Sequence, residues 1–221
     1  MKQILLIITV LAFACSSKKQ NENTTAAPVN VVVKPVLVSD TVAYDSDDPA
    51  FWINTQNPAE SLIIGTDKGG DAGDGALYVF SLDGKIIESK TVHNINVDVA
   101  YGLTAGNKKI DIAVCTERNT NSLRVFSLPD MQAIDGGGIP VFEQDSLRAP
   151  MGIALYTNPE GKIYAIVSRK NGPSGAYLAQ YLLSTDANGI VKGKLVRKFG
   201  NFSGKNEIEA IAVDNELGYI Y

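Results

Sequence analysis

The chain has 221 residues, 45% apolar and 20% charged, with 20 Lys and Arg against 24 Asp and Glu and a formal net charge of −4. That apolar share excludes disorder throughout, and a single long apolar run excludes a multi-span membrane protein. A sequence pI of about 5.1 excludes a nucleic-acid partner held by bulk charge.

In chain order, Lys2 supplies a positive start and residues 4–13 form an apolar stretch too short to span a bilayer. Small residues then precede Cys15. This pattern reads as residues 1–15 forming a lipoprotein signal with a lipobox, with Ala12 where Leu is more usual, and makes Cys15 the lipidated N-terminus. The expectation is an exported bacterial lipoprotein of the cell envelope, attached to the membrane through Cys15. Loss of residues 1–14 removes Lys2 and no acid, taking the net charge from −4 to −5. Residues 16–38 begin polar and have no period, as a flexible tether would. Cys115, left without a disulfide partner, reads as a small buried strand residue.

From residue 39 onward the pattern is all-β. Short runs rich in Val, Ile, Tyr and Phe, separated by Gly, Asn, Asp and Pro, predict strands at 61–66, 76–82, 110–116, 122–128, 152–156, 162–168 and 177–183. The runs repeat. Segments starting at Ser61, Lys109 and Lys162 each give a strand, then Thr/Ser-x-Lys/Arg, a Gly/Asn loop and a second strand. Their basic residues Lys68, Arg118 and Lys170 fall 50 and 52 residues apart. Another short apolar segment precedes each pair (DDPAFWIN, NVDVAYGL, APMGIALY), and a fourth, EIEAIAVD, opens at Glu207. A period of about fifty residues with three or four short strands per unit predicts β-propeller blades, each an antiparallel four-stranded sheet. Trp52 reads as core and His93 as a surface loop residue.

In a propeller, equivalent positions of successive blades meet at one face. Lys68, Arg118 and Lys170 would converge there, with Asp47, Asp48, Asp98, Glu207 and Glu209 nearby. Converging Arg and Lys bind oxyanions. Clustered carboxylates call for a hard cation, and with one His and almost no thiolate calcium fits best. The residues lead to a metal-dependent site for a small polyanion.

DDPAFWIN, GTDKGG, INVDVAYG, TERNTNSLRVFSL, VSRKNG and EIEAIAVDNELGYIY resemble, in order and spacing, the β-propeller phytases over residues 39–221. The resemblance implies a six-bladed propeller that uses Ca2+ to hydrolyse phytate, inositol hexakisphosphate; a monomer is expected. It implies further that Asp48 with the carbonyls of Pro49 and Val97 holds a structural calcium, with Asp98 beside it. Lys68, Arg118 and Lys170 would grip substrate phosphates, and Glu209 would hold catalytic calcium that activates the attacking water. Gly69 stands where the family often has a second Lys, Met151 stands where it often has a phosphate-contacting Tyr, and the loop after Lys170 is longer. The residues present correspond to about three and a half blades, and this piece by itself is expected to be inactive. Two other functions fit the repeats: a non-catalytic surface propeller that binds a protein or glycan, and a propeller lactonase or esterase.

Overall fold

The computed structural model describes residues 33–221, apart from residue 71. The expected signal, Cys15 and tether residues 16–32 lie outside the described residues. Contacts divide the chain into Met1–Pro35 and Val36–Tyr221, and the second unit carries all the described strands.

Three four-stranded antiparallel meanders follow one another. The first is β1 (Ser46–Trp52), β2 (Leu62–Asp67), β3 (Ala76–Phe80) and β4 (Ile86–Thr91). The second is β5 (Asn94–Ala105), β6 (Lys108–Glu117), β7 (Ser122–Leu128) and β8 (Ile139–Pro140), and the third β9 (Pro150–Thr157), β10 (Ile163–Arg169), β11 (Leu178–Thr185) and β12 (Val191–Phe199). A two-stranded start of the next unit pairs β13 (Val213–Asp214) with β14 (Tyr219–Ile220). Among the described residues the only helix is a single 3-10 turn, Pro58–Glu60. This is the all-β propeller architecture, in incomplete form.

The blades stack because their middle strands are apolar on both faces. Along β6, Ala113 and Cys115 pack with Trp52, Ile64 and Leu77 of the first blade, whereas Ile112 and Val114 pack with Ile153, Ala165 and Val167 of the third. Side chains alternate along a strand, so one strand serves two interfaces. Burial of each such Ile, Leu or Val contributes about 1.5–3 kcal/mol. Trp52 is core, as read from the sequence, and its indole N–H donates to Asp111 at 2.9 Å. Cys115 is fully buried, and burial pushes its thiol pKa upward.

The first strands are neighbours in chain order: β1 lies against β5, β5 against β9 and β9 against β13. Hydroxyls pin them together. Thr116 Oγ1 on β6 accepts from Asn96 N of its own blade (3.2 Å) and donates to Met151 O of the next (2.8 Å). Ser168 Oγ on β10 does the same between Gly152 N (2.9 Å) and Ile208 O (2.5 Å).

The outer strands β4 and β12 complete the expected four-stranded blades, although no apolar run marks their positions in the sequence. Their mostly half-exposed and exposed residues include Glu88, Lys90, Lys192 and Lys194. Charge on an edge strand blocks further pairing and erases the apolar pattern by which strands are read. The segment opening at Glu207 enters a ladder only from Ala212 onward, where Ala212 exchanges backbone hydrogen bonds with Tyr221 ahead of the Val213–Asp214 strand.

Candidate functional site

The backbone fixes which positions of the repeat are equivalent. Lys68 N donates to Asp45 O (2.9 Å), Arg118 N to His93 O (3.2 Å) and Lys170 N to Ala149 O (2.8 Å). Three residues after each of those carbonyls, the N–H groups of Asp48, Asn96 and Gly152 donate to the hydroxyls of Thr66, Thr116 and Ser168. Asp48, Asn96 and Gly152 are therefore one repeat position, and Lys68, Arg118 and Lys170 another. Ser168 meets the carbonyl of Ile208 as Thr116 meets that of Met151, which makes Glu209 the fourth member of the first position.

Each basic residue directly follows or extends past the end of a second strand, and the three lie at the same end of their blades. Lys68 Nζ pairs with Asp47 Oδ1 at 3.0 Å and Lys170 Nζ with Glu207 Oε1 at 3.1 Å. Arg118 differs. Its Nη2 reaches Met151 Sδ at 2.8 Å, its Nε is buried without a hydrogen-bond partner, and among the described residues it pairs with no carboxylate. Burial works against the Lys68 ammonium, but the Asp47 pair, with Glu209 acting through space, outweighs it and raises the Lys68 pKa.

Asp47, Asp48, Asn96 and Glu209 share one cavity of about 290 Å³ with Ile153 and Ile211. Burial raises the Asp48 pKa and Asp47 adds to the rise, opposed by the Val97 N–H at 3.0 Å and by the Asn96 side chain. Asn96 is buried and its Oδ1 has no hydrogen-bond partner. The ligands expected from the sequence, Pro49, Val97 and Asp98, line a second cavity, of about 360 Å³, together with Asp48 and Asn215. Asp98 lies deeper than the other acids: Oδ2 accepts from Leu155 N of the third blade and Oδ1 from Val99 N, both at 2.7 Å. Burial raises its pKa against these two N–H groups. A more apolar cavity, lined by Val38, Ile63 and Phe80 among others, carries no cationic side chain.

The donor set is all oxygen: carboxylates of Asp47, Asp48 and Glu209 and the unpartnered Asn96 Oδ1. Among the described residues no three acids, His or Cys close into a metal-holding cluster by themselves. A cation here would thus draw on amide and carbonyl oxygens as well, which suits calcium and not zinc.

His93 differs from the surface reading. It is half-buried, its carbonyl holds the Arg118 N–H, and its Nδ1 lacks a hydrogen-bond partner. The Gly-rich loop of the first blade brings Gly73 against it. Asn96 and Gly152 were not legible as site positions. The available signal was the hydroxyl two residues before each cation, in Thr66-x-Lys68, Thr116-x-Arg118 and Ser168-x-Lys170.

Fold and side chains together define a β-propeller whose blades carry Lys68, Arg118 and Lys170 at one repeat position, with carboxylates beside the two lysines. A family model described as Phytase matches residues 2–221, and the chain belongs to the phytase family. A 3-phytase of Bacillus subtilis (strain 168) is 28% identical over 225 aligned positions, covering 98% of this chain and 54% of that protein. The chain thus spans about half the length of that relative.

Proposed function

We propose that this chain forms the phosphate-binding part of a calcium-dependent phosphomonoesterase that removes phosphate from phytate. The observation that carries this reading is Arg118: a partly buried guanidinium at the repeat position of Lys68 and Lys170, with no carboxylate partner among the described residues. A phosphate satisfies such a fork by two charge-assisted hydrogen bonds. Lys68 and Lys170 flank it and bind further phosphates of the same polyanion. Asp47, Asp48, Glu209 and the Asn96 amide oxygen would hold calcium in the adjoining cavity, and Asp48 with the carbonyls of Pro49 and Val97 and with Asp98 would hold another ion.

When bound, calcium supplies charge neutralisation for the phosphate and polarises the attacking water. Glu209 presents its carboxylate from a backbone seated on Gly152, within electrostatic reach of Lys68. Residues 1–15 are read as a lipoprotein signal and Cys15 as the anchor that holds the protein, as a monomer, at the cell envelope.

The experiment is phosphate release from phytate by the whole protein, with calcium and after chelation. Release that needs calcium and falls in Glu209→Gln supports the reading. No release with calcium present moves the function to a surface propeller that binds a protein or glycan.

A further inference from the structure

Strand β10 ends on Arg169, and the next residue is Lys170; the two consecutive cations find different partners. Lys170 turns to Glu207, whereas Arg169 turns into the third blade, where it is 1% exposed. Its Nη1 lies 3.2 Å from Asp145 Oδ1, and its guanidinium sits over the rings of Phe142 (5.4 Å) and Tyr177 (5.8 Å).

The loop after Lys170 wraps this group. Arg169 Nη2 donates to the carbonyls of Pro173 (3.2 Å) and Ala176 (3.0 Å). Gly172, at φ +141°, lies flat on the guanidinium, and a Cβ there would stand 3.0 Å from Arg169 Cζ. The loop closes on Lys170 itself: Tyr177 Oη donates to Lys170 O at 2.6 Å, and Arg169 N donates to Tyr177 O at 3.1 Å. The Tyr177 ring in turn stacks on Phe202 at 4.6 Å.

A buried guanidinium is a poor core residue, because desolvation opposes it and an apolar side chain of similar volume packs as well. Here Nε lacks a hydrogen-bond partner, and Nη1 has the Asp145 ion pair without a well-formed hydrogen bond. Beyond the Asp145 ion pair and the Phe142 ring, both side-chain hydrogen bonds of Arg169 go to carbonyls of the loop after Lys170. We propose that Arg169 is a positioning residue that holds loop 171–176 and, through it, sets Lys170 at the wall of the phosphate site. This rests on the reading of Lys170 as a phosphate-binding group.

The test is a mutant cycle in the whole protein with calcium, reading phytate hydrolysis, phytate binding by calorimetry and the thermal midpoint. Arg169→Lys keeps the charge but cannot span two carbonyls. It should raise KM about tenfold with kcat changed less than about threefold. Combined with Lys170→Ala, it should be no worse than Lys170→Ala alone, since coupled residues are not additive. Gly172→Ala leaves Arg169 intact while lifting the loop, and should reproduce the KM rise. It also decides the matter if Arg169→Lys does not fold. Additive losses in the cycle, or a wild-type KM in Gly172→Ala, would overturn the inference with the phosphate reading intact. Absence of phytate binding by the unmutated protein would overturn that reading first, and this one with it.

Discussion

Gly152 is bare because the carbonyl of Glu209 fills its side-chain space: an ideal Cβ there would lie 2.2 Å from Glu209 O. Close backbone approach, and not a left-handed φ, demands glycine at this position. Gly152→Ala must push the Glu209 segment away from β9. It should cost about 1–3 kcal/mol of stability, seen as a lower thermal midpoint, and should weaken any calcium-induced rise in that midpoint. An unchanged calcium response would separate Glu209 from the cation.

Asp48 is a carboxylate whose burial raises its pKa above the ordinary aspartate value. A raised folded-state pKa gives stability that is fully present below the unfolded pKa and is lost as pH rises through the folded one. In calcium-free buffer Asp48→Asn should therefore melt at the same or a higher temperature than the unmutated protein, with the gain growing as pH rises above the ordinary aspartate range. The amide oxygen can keep the Val97 N–H contact. With calcium added the order should reverse, because a ligand bound by the folded state stabilises it by mass action. Melting curves across pH, with calcium and with chelator, check both halves.

Arg118→Ala should lower phytate turnover by about one to two orders of magnitude, as loss of a charge-assisted phosphate clamp removes roughly 1.5–3 kcal/mol. Lys85 is the matched control. It lies far outside the cluster in an exposed pair with Asp40, and Lys85→Ala should leave both turnover and melting unchanged. Equal losses in the two variants would show that the effect is general charge and not a clamp.

Thr116→Val keeps shape and removes the hydroxyl that joins Asn96 N to Met151 O. Both groups are then left buried and unpaired, at about 1–3 kcal/mol each. The expected result is a drop in the denaturant midpoint with little change in slope. A neutral outcome would mean that apolar stacking alone sets the blade spacing.

The repeat, the strands and the register of Lys68, Arg118 and Lys170 were legible from the sequence, because alternation and a fixed step survive in one dimension. β7 was read with its observed bounds, Ser122–Leu128. Thr-x-Arg was visible too, but the role of its hydroxyl was not, since Thr116 acts on a residue 35 positions away, Met151 O. The outer strands β4 and β12 were invisible because charge on a solvated edge follows no apolar period. Only the tertiary structure decided that Asn96 and Gly152 share a position with Asp48 and Glu209. It also decided that Asp98, which resembles them in sequence, is held deeper by Leu155 N–H. It separated Arg169 from Lys170 as well: the pair looks like one basic patch in sequence, but Arg169, the last residue of β10, is buried in the blade while Lys170 just beyond it pairs with Glu207. Sequence fixes the order and chemistry of groups along a strand, but which of them meet depends on packing between blades, and that is a property of distance in space.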